Sequence, residues 1–354
     1  MGSGTFLRRA MNGDRGWRLT GARVALHALA AGYGVGVWLR NRRYDRSAGA
    51  VALPIPVISV GNVTAGGTGK TPLVMALARG LIERGHKPGI VSRGYGAERG
   101  RESDEAALTA RAVPGAVCVT DPDRVAAARR AIAAAGVDCI IADDAFQHRR
   151  LARDLDIVVI DATCPFGFGH LLPRGLLREP LSGLRRADTI VVSRTDLVDA
   201  KALAAIDEQL DRWAPGTPRL RSRHRPVEFV ALDGTPVNIE PGSIQRAVAT
   251  AAVGNPESFA RTLAAMGVAT AATYWWPDHH VYRAKDVRAL AERCRSRAAD
   301  ALLVTEKDAV KLAPLLDEPF VCPVYALRVE IDFVGPDGTI LWNQVDPLMR
   351  GAGR

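Results

Sequence analysis

A strand, a glycine-rich turn and a helix follow one another between residues 55 and 84, and this unit constrains the possible folds most strongly. The apolar run IPVISV at 55–60 predicts a buried strand. A helix is predicted from Thr71 to Arg84, with Pro72 in its first turn and Gly85 just past its end. Such a strand–turn–helix unit is the building block of parallel α/β sheets.

The turn reads TAGGTGKT at 64–71 and predicts a phosphate-binding loop. The strict pattern G-x-x-x-x-G-K-S/T is matched at Gly69, Lys70 and Thr71, whereas Thr64 replaces its first glycine. The residues whose backbone N–H groups would cradle an anion are Thr64, Ala65, Gly66, Gly67, Thr68 and Gly69. Lys70 would reach the β- and γ-phosphates of a nucleotide, and the Thr71 hydroxyl would bind Mg²⁺. A glycine-rich turn without a ligand is the alternative, although such a turn does not need Lys and Thr at its end.

Further short apolar runs alternate with helical patterns along the rest of the chain. They are GIVS at 89–92, VDCIIA at 137–142, LDIVVID at 155–161, TIVVS at 189–193, AVATAAVG at 247–254 and ALLVT at 301–305. Buried strands joined by helices form a parallel sheet that is covered on both faces. The predicted fold class is therefore α/β, a P-loop NTPase-like parallel sheet flanked by helices.

A change of composition at 214–226 predicts a domain boundary, because the sequence APGTPRLRSRHRP is rich in Pro and Arg. We therefore expect a P-loop core domain over residues 47–222 and a smaller α/β second domain over 223–340. Residues 1–46 form a separate basic and apolar region. The last segment, 341–354, carries little signal and is expected to form a tail.

An uncharged run, VALHALAAGYGVGVWL, lies between Arg23 and Arg40. As a helix it would cover about 24 Å, which is short of the roughly 30 Å hydrocarbon core of a bilayer. Arginines flank it on both sides, so neither an inside–outside asymmetry nor a cleaved signal peptide is indicated. We expect a helix that lies in the membrane interface, with apolar side chains in lipid and arginines on headgroups. A buried core helix is the alternative.

Composition limits the partners and the compartment. The net charge of +9 indicates an acidic partner, which leaves nucleic acid, anionic lipid and nucleotide phosphate open. Nucleic acid is disfavoured, because the sequence has no recognisable DNA- or RNA-binding motif and only 6% aromatic residues. No specific protein partner is evident. The five cysteines are widely spaced and contain no C-x-x-C pair, which favours a reducing compartment.

Three further motifs carry candidate polar groups. Asp143 and Asp144 end a predicted strand, where P-loop proteins hold Mg²⁺ directly or through water. In WWPDHHVY, His279 and His280 are adjacent, and both an acid–base or orienting role and a purely structural role are open. Metal binding by this pair is disfavoured, because adjacent histidines rarely point at one ion. SRTD at 193–196 is interpreted as the start of a helix.

Nine motifs, taken in order, carry a resemblance along nearly the whole chain. They are VGNVTAGGTGKTP at 60–72, VSRGYG at 91–96, SDE at 103–105, DPDR at 121–124, DDAFQHRRLARDLDIVVID at 143–161, LLPRGLLREPL at 171–181, GNPESF at 254–259, PDHH at 277–280 and VTEKDAVK at 304–311. This set resembles the tetraacyldisaccharide 4'-kinase family of lipid A biosynthesis, in which the departure at Thr64 is normal. The ordered set is far more specific than the phosphate-binding loop alone.

The resemblance implies ATP-dependent phosphorylation of the 4'-hydroxyl of a lipid A disaccharide 1-phosphate, with ATP and Mg²⁺ as cofactors. It implies a peripheral, monotopic position at the cytoplasmic face of the bacterial inner membrane. It also implies a second domain that closes over the P-loop core, and an N-terminal helix that docks on the membrane. The last point agrees with the separate interpretation of residues 17–40.

Matching motifs imply the roles of individual residues. Lys70 and Thr71 would serve the phosphates and Mg²⁺, and Arg124 and Arg178 would neutralise charge on the transferred phosphoryl group. The metal and phosphate shell would comprise Asp143, Asp144 and Glu179. Asp104 would take the proton from the sugar hydroxyl, with His279 as its partner.

The chain departs from the family pattern in three places. The segment between VSRGYG and SDE is shorter than usual, so the path that delivers Asp104 is expected to differ. The usual G-D-E reads S-D-E, which requires that Ser103 does not adopt a positive φ. FGFGHLLP at 166–173 replaces a segment that usually contains Gly and Asn, and it leaves the acceptor contacts there open.

A different class of function also fits a P-loop. ATPase switches of the partitioning or metallochaperone type use nucleotide to change conformation, and they often carry a second lysine early in the loop. The loop positions before Gly69 contain no lysine, which counts against a switch.

Overall fold

Twelve strands form one continuous sheet in the part of the chain that the structure describes. The structure is a computed structural model, and it describes residues 11, 17–46, 49–94, 104–278, 280–316 and 320–351. The strands are β1 (Val57–Gly61), β2 (Pro88–Ser92), β3 (Val117–Thr120), β4 (Cys139–Asp143), β5 (Leu155–Asp161), β6 (Thr189–Ser193), β7 (Arg219–Val230), β8 (Pro236–Val237), β9 (Ala247–Ala251), β10 (Thr270–Trp275), β11 (Ala301–Thr305) and β12 (Val324–Phe333). The α-helices are α1 (Trp17–Arg46), α2 (Lys70–Glu83), α3 (Asp104–Ala112), α4 (Arg124–Ala135), α5 (Ala200–Trp213), α6 (Pro256–Ala265), α7 (Ala284–Ser296), α8 (Glu306–Leu312) and α9 (Asp337–Gly351).

The sheet is parallel at almost every pair of neighbouring strands. Its order is β10-β9-β11-β12-β7-β6-β5-β1-β4-β2-β3, with β8 attached to β7. The only antiparallel pairs among the described strands are β7 with β12 and β7 with β8. Helices connect the parallel strands, so the α/β class predicted from the sequence is confirmed.

The helix that follows the glycine-rich turn packs on the sheet as its sequence predicts. The predicted inner face of α2, which is Leu73, Leu77 and Leu81, is fully buried. These side chains share one cluster with Ile58 of β1 and Ile141 of β4. Burying each leucine contributes roughly 1.5–3 kcal/mol. This packing fixes α2, and with it the turn at its N-terminus, against the end of β1.

Strand β7 joins the two halves of the sheet. Its first residues, 219–221, pair in parallel with β6. From Ser222 onward it leaves β6 and pairs antiparallel with β12, in a register that runs from Ser222 opposite Phe333 to Val230 opposite Ala326. The sheet therefore continues across the expected boundary near residue 222, and the domain limits given above stay a prediction.

The last helix returns to the core of the first half. Leu341, Val345 and Met349 of α9 are buried in the cluster that contains the inner face of α2. Trp342 packs where Gly80 of α2 has no side chain, and the guanidinium of Arg84 lies 3.6 Å from the Trp342 ring centroid. The sequence carried little signal here, because Pro347 interrupts the helical pattern.

Helix α1 lies on the outside of the first half and exposes most of its apolar side chains. Leu29 is 61% exposed and Val35 is 58% exposed. This exposure excludes the alternative of a buried core helix. Among the described residues, α1 is also the one helix long and apolar enough to cross a membrane, by length and composition. Among the contacts that hold it to the core, Tyr33 Oη donates to the Arg178 carbonyl at 2.9 Å, and Arg149 Nη2 donates to Asp45 Oδ1 at 2.6 Å.

Candidate active site

The glycine-rich turn is closed from within by the residue that follows β1. Asn62 is fully buried, and its Nδ2 donates to the Thr64 carbonyl at 2.6 Å and to Thr68 Oγ1 at 3.1 Å. From the other side, Ser193 Oγ donates to the Thr68 carbonyl at 2.8 Å. These bonds satisfy inward-facing groups of the loop and fix its shape before any ligand binds.

Two glycines in the loop have backbone conformations that other residues rarely adopt. Gly66 has a φ of +113° and Gly69 has a φ of +92°. A Cβ on Gly69 would also lie 2.8 Å from Nε2 of His224. Gly69 is the N-cap of α2, and a glycine has no side chain with which to cap the first N–H groups of the helix. This arrangement is an anion cradle of the predicted kind.

A cavity of about 880 Å³ surrounds the loop at the C-terminal ends of the parallel strands. Its lining comes from three parts of the chain. The whole loop from Ala65 to Thr71 contributes, together with Asp143 and Asp144 at the end of β4. Helix α1 and the second half of the chain supply Tyr33, Arg40, Tyr44, Gly254, Asn255, Thr305, Glu306 and Lys307. A ligand in this cavity would therefore contact both halves of the sheet and α1.

Asp144 lies between two cations at the mouth of the loop. Its Oδ1 is 3.4 Å from Lys70 Nζ, and Nη1 of Arg178 is 2.8 Å from both Oδ1 and Oδ2. Burial opposes ionisation of Asp144, but the charges of Lys70 and Arg178 outweigh it and hold its pKa well below the usual range. Asp144 also has a φ of 51°, a strained value for a residue with a side chain. The carboxylate is thus charged and aims both cations into the cavity.

Arg124 is placed at the site by the motif DPDR. Asp123 caps α4 by accepting from the Val125 N–H at 3.0 Å, which puts Arg124 in the first turn. Arg124 is only 3% exposed, lines the cavity and donates to the Asp143 carbonyl at 3.4 Å. Burial lowers its pKa, and the charges of Asp144 and Asp143 oppose that shift. An arginine still keeps its proton, so a buried positive charge faces the phosphate loop.

Glu179 is the residue that the resemblance assigned to the metal and phosphate shell together with Asp143 and Asp144. It is fully buried, it does not line the cavity, and both carboxylate oxygens are engaged. Arg186 Nη2 donates to Oε2 at 2.7 Å, and Gln147 Nε2 donates to Oε1 at 2.9 Å. Gln147 in turn also donates to the Asn62 carbonyl at 2.8 Å. This geometry favours a supporting role under the loop over direct contact with a metal.

No group of three or more His, Cys, Asp or Glu side chains within the described part of the chain could hold a metal ion alone. A nucleotide-bound Mg²⁺ does not need such a group, because phosphate oxygens and water complete its shell. Thr71, Asp143 and Asp144 all line the cavity beside the cradle. Their hydroxyl and carboxylate oxygens are the ligand type that Mg²⁺ takes, so the residues present fit a metal carried in by nucleotide.

The expected proton acceptor and its partner lie partly outside the described residues. The backbone of Asp104 begins α3 but its side chain is not described, and His279 is not described at all. Their neighbours nevertheless border the cavity, since Leu108 of α3 and Asp278 both line it. The neighbouring His280 makes structural contacts. Its ring stacks on that of Trp276 with 4.5 Å between the ring centroids, and its Nε2 lies 3.1 Å from Asp286 Oδ2.

Arg194 and His224 are two of the cavity residues that the sequence did not predict. Arg194, within SRTD, pairs with Asp161 at the end of β5 and donates to the Gly67 carbonyl at 2.9 Å. The motif therefore braces the loop, and only a 3₁₀ turn at Thr195–Leu197 follows it. His224 of β7 lines the cavity beside Gly69. The position of Arg194 directly after a predicted strand could have marked it as a site residue. No pattern marked His224, because it lies in a Pro- and Arg-rich stretch.

The second half of the chain reaches directly over the loop. A Cβ on Gly254 would lie 2.7 Å from the Gly67 nitrogen and 3.5 Å from the Gly66 Cα. Next to it, Asn255 Nδ2 donates to Thr163 Oγ1 in the first half at 2.9 Å. Glycine at 254 is thus required for the two halves to approach this closely.

An anion cradle at the end of a parallel sheet, with cations from several elements facing the same space, defines the class of P-loop phosphotransferases. A family model described as Tetraacyldisaccharide-1-P 4'-kinase matches residues 22–349. The chain therefore belongs to this family of kinases, as the sequence motifs predicted.

Individual relatives agree with the family model. The tetraacyldisaccharide 4'-kinase of Syntrophus aciditrophicus is 40% identical over 335 residues, which cover 87% of this chain and 88% of the relative. That of Anaeromyxobacter sp. strain Fw109-5 is 39% identical over 345 residues, with 91% of each chain covered. A crystal structure of LpxK from Aquifex aeolicus in complex with ATP matches with a TM-score of 0.69 and 25% identity, covering 93% of this chain and 99% of the other. The predictions of a kinase and of ATP as its nucleotide are confirmed.

Proposed function

We propose that this chain transfers the γ-phosphoryl group of ATP to the 4'-hydroxyl of a tetraacyl lipid A disaccharide 1-phosphate. The observation that carries the proposal is the continuity of one cavity from the phosphate loop to α1. A water-soluble nucleotide and an acylated sugar need different surroundings. The loop offers backbone amides and cations, whereas α1 offers exposed apolar side chains on a helix whose Tyr33 bonds to the Arg178 carbonyl.

The protein's own cations would carry most of the catalysis. Phosphoryl transfer depends on positioning and on neutralising negative charge that spreads over the transferred group. Lys70 and Arg178 are fixed by the charged Asp144 between them, so their positive charges are already oriented. Arg124 adds a third charge from α4, where burial removes the screening by water.

Thr71 and Asp143 are the residues that would hold Mg²⁺, with Asp144 in reach directly or through water. Bound with the nucleotide, Mg²⁺ would supply positive charge at the phosphate oxygens. Glu179 would support the loop without contacting the metal. It accepts from Gln147, and Gln147 also donates to the carbonyl of Asn62, the residue that closes the loop. We assign it to support of the site.

Asp104 would accept the proton of the attacking hydroxyl, and His279 would orient that carboxylate or share the proton. The proximity of Leu108 and Asp278 to the cavity supports this assignment, because each lies in the same segment as one of the two residues. Once the proton is accepted, the hydroxyl oxygen attacks the phosphorus atom while the bond to the β-phosphate oxygen breaks.

Helix α1 would place the enzyme on the bilayer as a peripheral protein at the cytoplasmic face of the inner membrane. Val24, Leu29, Val35, Trp38 and Leu39 are all exposed. Burying such side chains in the acyl boundary is favourable by roughly 25 cal/mol per Å² of apolar surface. Only one side of α1 contacts the core, so the remaining surface is available to lipid.

A radiolabel assay tests the proposal directly. The purified full chain is incubated with γ-labelled ATP, Mg²⁺ and a detergent-dispersed disaccharide 1-phosphate, and label is counted in the lipid fraction. We expect label in the lipid, none with an acceptor already phosphorylated at the 4' position, and none with the K70A variant. ATP hydrolysis that needs no lipid and rises with self-association would instead support a nucleotide-driven switch.

A further inference from the structure

A second cavity, of about 610 Å³, adjoins the nucleotide cavity on the side of α1. It is lined by Leu39, Arg40, Arg43, Tyr44, Gly49 and Arg150. Arg40 and Tyr44 line both cavities, so the two spaces share a wall at the last turns of α1. The two cavities are therefore neighbours at the end of α1, separated by the Arg40 and Tyr44 side chains.

The second cavity is strongly positive. Three guanidinium groups line it, and among the described residues no carboxylate does. Arg150 is partly neutralised, because its Nη1 lies 2.7 Å from Asp123 Oδ2. Arg40 and Arg43 make no ion pair with any described residue. Guanidinium groups match the oxygens of a phosphate through paired hydrogen bonds, so this composition fits a phosphate ester better than a neutral sugar.

Neighbouring contacts attach the part of α1 that carries Arg40 and Arg43 to the segment that carries Arg150. Arg40, Arg43 and Tyr44 lie at i, i+3 and i+4, which places them on one face of α1. Arg149 donates from Nη1 to the Asn41 carbonyl at 3.1 Å and from Nη2 to Asp45 Oδ1 at 2.6 Å. The last turns of α1 are thereby attached to the residue that precedes Arg150. The backbone positions of Arg40, Arg43 and Arg150 are thereby set relative to one another, while their side chains are exposed to an incoming ligand.

We infer that this cavity binds the phosphate monoester that the acceptor already carries, and so selects phosphorylated disaccharides. The inference rests on the proposed function, in which the acceptor has its reacting hydroxyl at one end and a phosphate at the other. The hydroxyl must enter the cavity that contains the phosphate loop. The adjoining positive cavity is the place for the remaining anionic end, and Arg40 lies between the two.

Acceptor preference provides the test. Wild type is compared on the disaccharide 1-phosphate and on the same lipid without its phosphate, both in neutral detergent micelles. Arg43→Ala is the main variant, because Arg43 lines only the second cavity and has no carboxylate partner to leave unpaired. Arg129→Ala is the matched control, since it removes an exposed arginine of α4 that lines neither cavity.

We expect wild type to prefer the phosphorylated acceptor by about tenfold or more in kcat/KM. In R43A this preference should disappear, mainly through a higher KM for the phosphorylated acceptor, while KM for ATP stays the same. R129A should keep the wild-type preference. Thermal melting of R43A checks that the variant is folded.

Three outcomes are distinguishable from this result. Equal use of both acceptors by wild type overturns the inference but leaves the kinase assignment intact. An R43A defect that affects both acceptors equally, and only when anionic phospholipid is added to the micelles, assigns the cavity to bilayer headgroups and also overturns it. Failure to label either acceptor with wild type overturns the proposed function itself.

Discussion

Arg178 Nη1 lies 2.8 Å from both carboxylate oxygens of Asp144, and the Arg178 backbone carbonyl accepts a hydrogen bond from Tyr33 of α1. One residue therefore connects the end of β4, the helix that is proposed to contact the membrane, and the space in front of the phosphate loop. Its side chain lines the cavity that contains the phosphate loop, while its backbone carbonyl bonds to α1.

Replacing Arg178 by Ala should lower kcat by about 10³-fold, the effect expected when a charge on the transferred phosphoryl group is lost. The lysine variant should recover part of this loss, because it restores the charge without the planar geometry. Steady-state kinetics with the labelled acceptor provide the measurement. Arg185→Ala, an exposed arginine a few residues away, is the control. A kcat for R178A within twofold of wild type contradicts the role.

Asp104→Ala should lower kcat by about 10²–10⁴-fold and keep ATP affinity, because only proton acceptance is removed. His279→Ala should give a smaller loss of kcat, since in the proposed mechanism His279 acts through Asp104. ATP affinity is measured by calorimetry and turnover by the label assay. Glu208→Ala removes an exposed carboxylate on α5 and is the matched control. Undiminished turnover in D104A would exclude it as the proton acceptor.

Gly254→Ala should separate the two halves of the site. The added Cβ would lie 2.7 Å from the Gly67 nitrogen, so the backbone of the second half has to move. We expect kcat/KM for ATP to fall by about tenfold or more, since small displacements in a site are costly. Gly242→Ala lies in the same half with nothing within 4 Å of the new Cβ and should behave like wild type. Equal kcat/KM values for both variants would contradict a role of the Gly254–Gly67 contact in ATP use.

His224 should make the stability of the fold depend on pH. Burial, and then the charge of Arg194, lower the pKa of His224 to about 3. In the unfolded chain the imidazole takes up a proton below about pH 6.5. Between these values the unfolded state binds the extra proton, so native stability falls as the pH drops below 6.5. This loss is complete only near the folded pKa.

The His224→Gln variant tests this sign. It should lose about 2 kcal/mol less stability than wild type between pH 7 and pH 5. Urea unfolding at both pH values gives the difference. Between pH 7 and pH 8 the two proteins should change in parallel, because the imidazole is neutral in both states. Identical losses below pH 6.5 would mean that His224 takes up a proton in the folded protein as easily as in the unfolded chain.

Val35→Asp should weaken membrane association, because it places a charge on the exposed apolar surface of α1, where Val35 is 58% exposed. Co-sedimentation with vesicles that contain anionic phospholipid measures the bound fraction. Val281→Asp changes a valine of the second half of the chain that is 68% exposed, and it should leave the bound fraction at the wild-type level. Loss of binding in both variants, or in neither, contradicts a docking role of α1.

The parts of the fold that local sequence encodes were predictable. The β1–loop–α2 unit has an apolar strand, positive-φ glycines and a helix with three evenly spaced leucines, and each of these features lies within one continuous segment. The position of Asp143 and Asp144 at a strand end was predictable for the same reason, since a run of apolar residues stops there.

Contacts between distant residues were not predictable in this way. Arg149 and Asp45, which attach α1 to the core, are 104 positions apart, and Gln147 and Glu179 are 32 apart. Neither pair leaves a periodic pattern in the sequence. The partners of Glu179, Arg186 and Gln147, could not be inferred from its own motif. The motif by itself indicated only a carboxylate of the metal and phosphate shell. The change of partners at Ser222 depends on β12, which lies a hundred residues later.

Because β7 bonds to β6 at one end and to β12 at the other, the two halves of the sheet are joined by one hydrogen-bonded ribbon. Any movement of one half relative to the other has to bend or twist the ribbon formed by β7 and β12. His224, near the start of this ribbon, lies beside Gly69 of the loop. Such a movement would therefore start next to the phosphate loop. We therefore expect a ligand bound at the loop to restrict bending of the β7–β12 ribbon, and with it the movement of the second half.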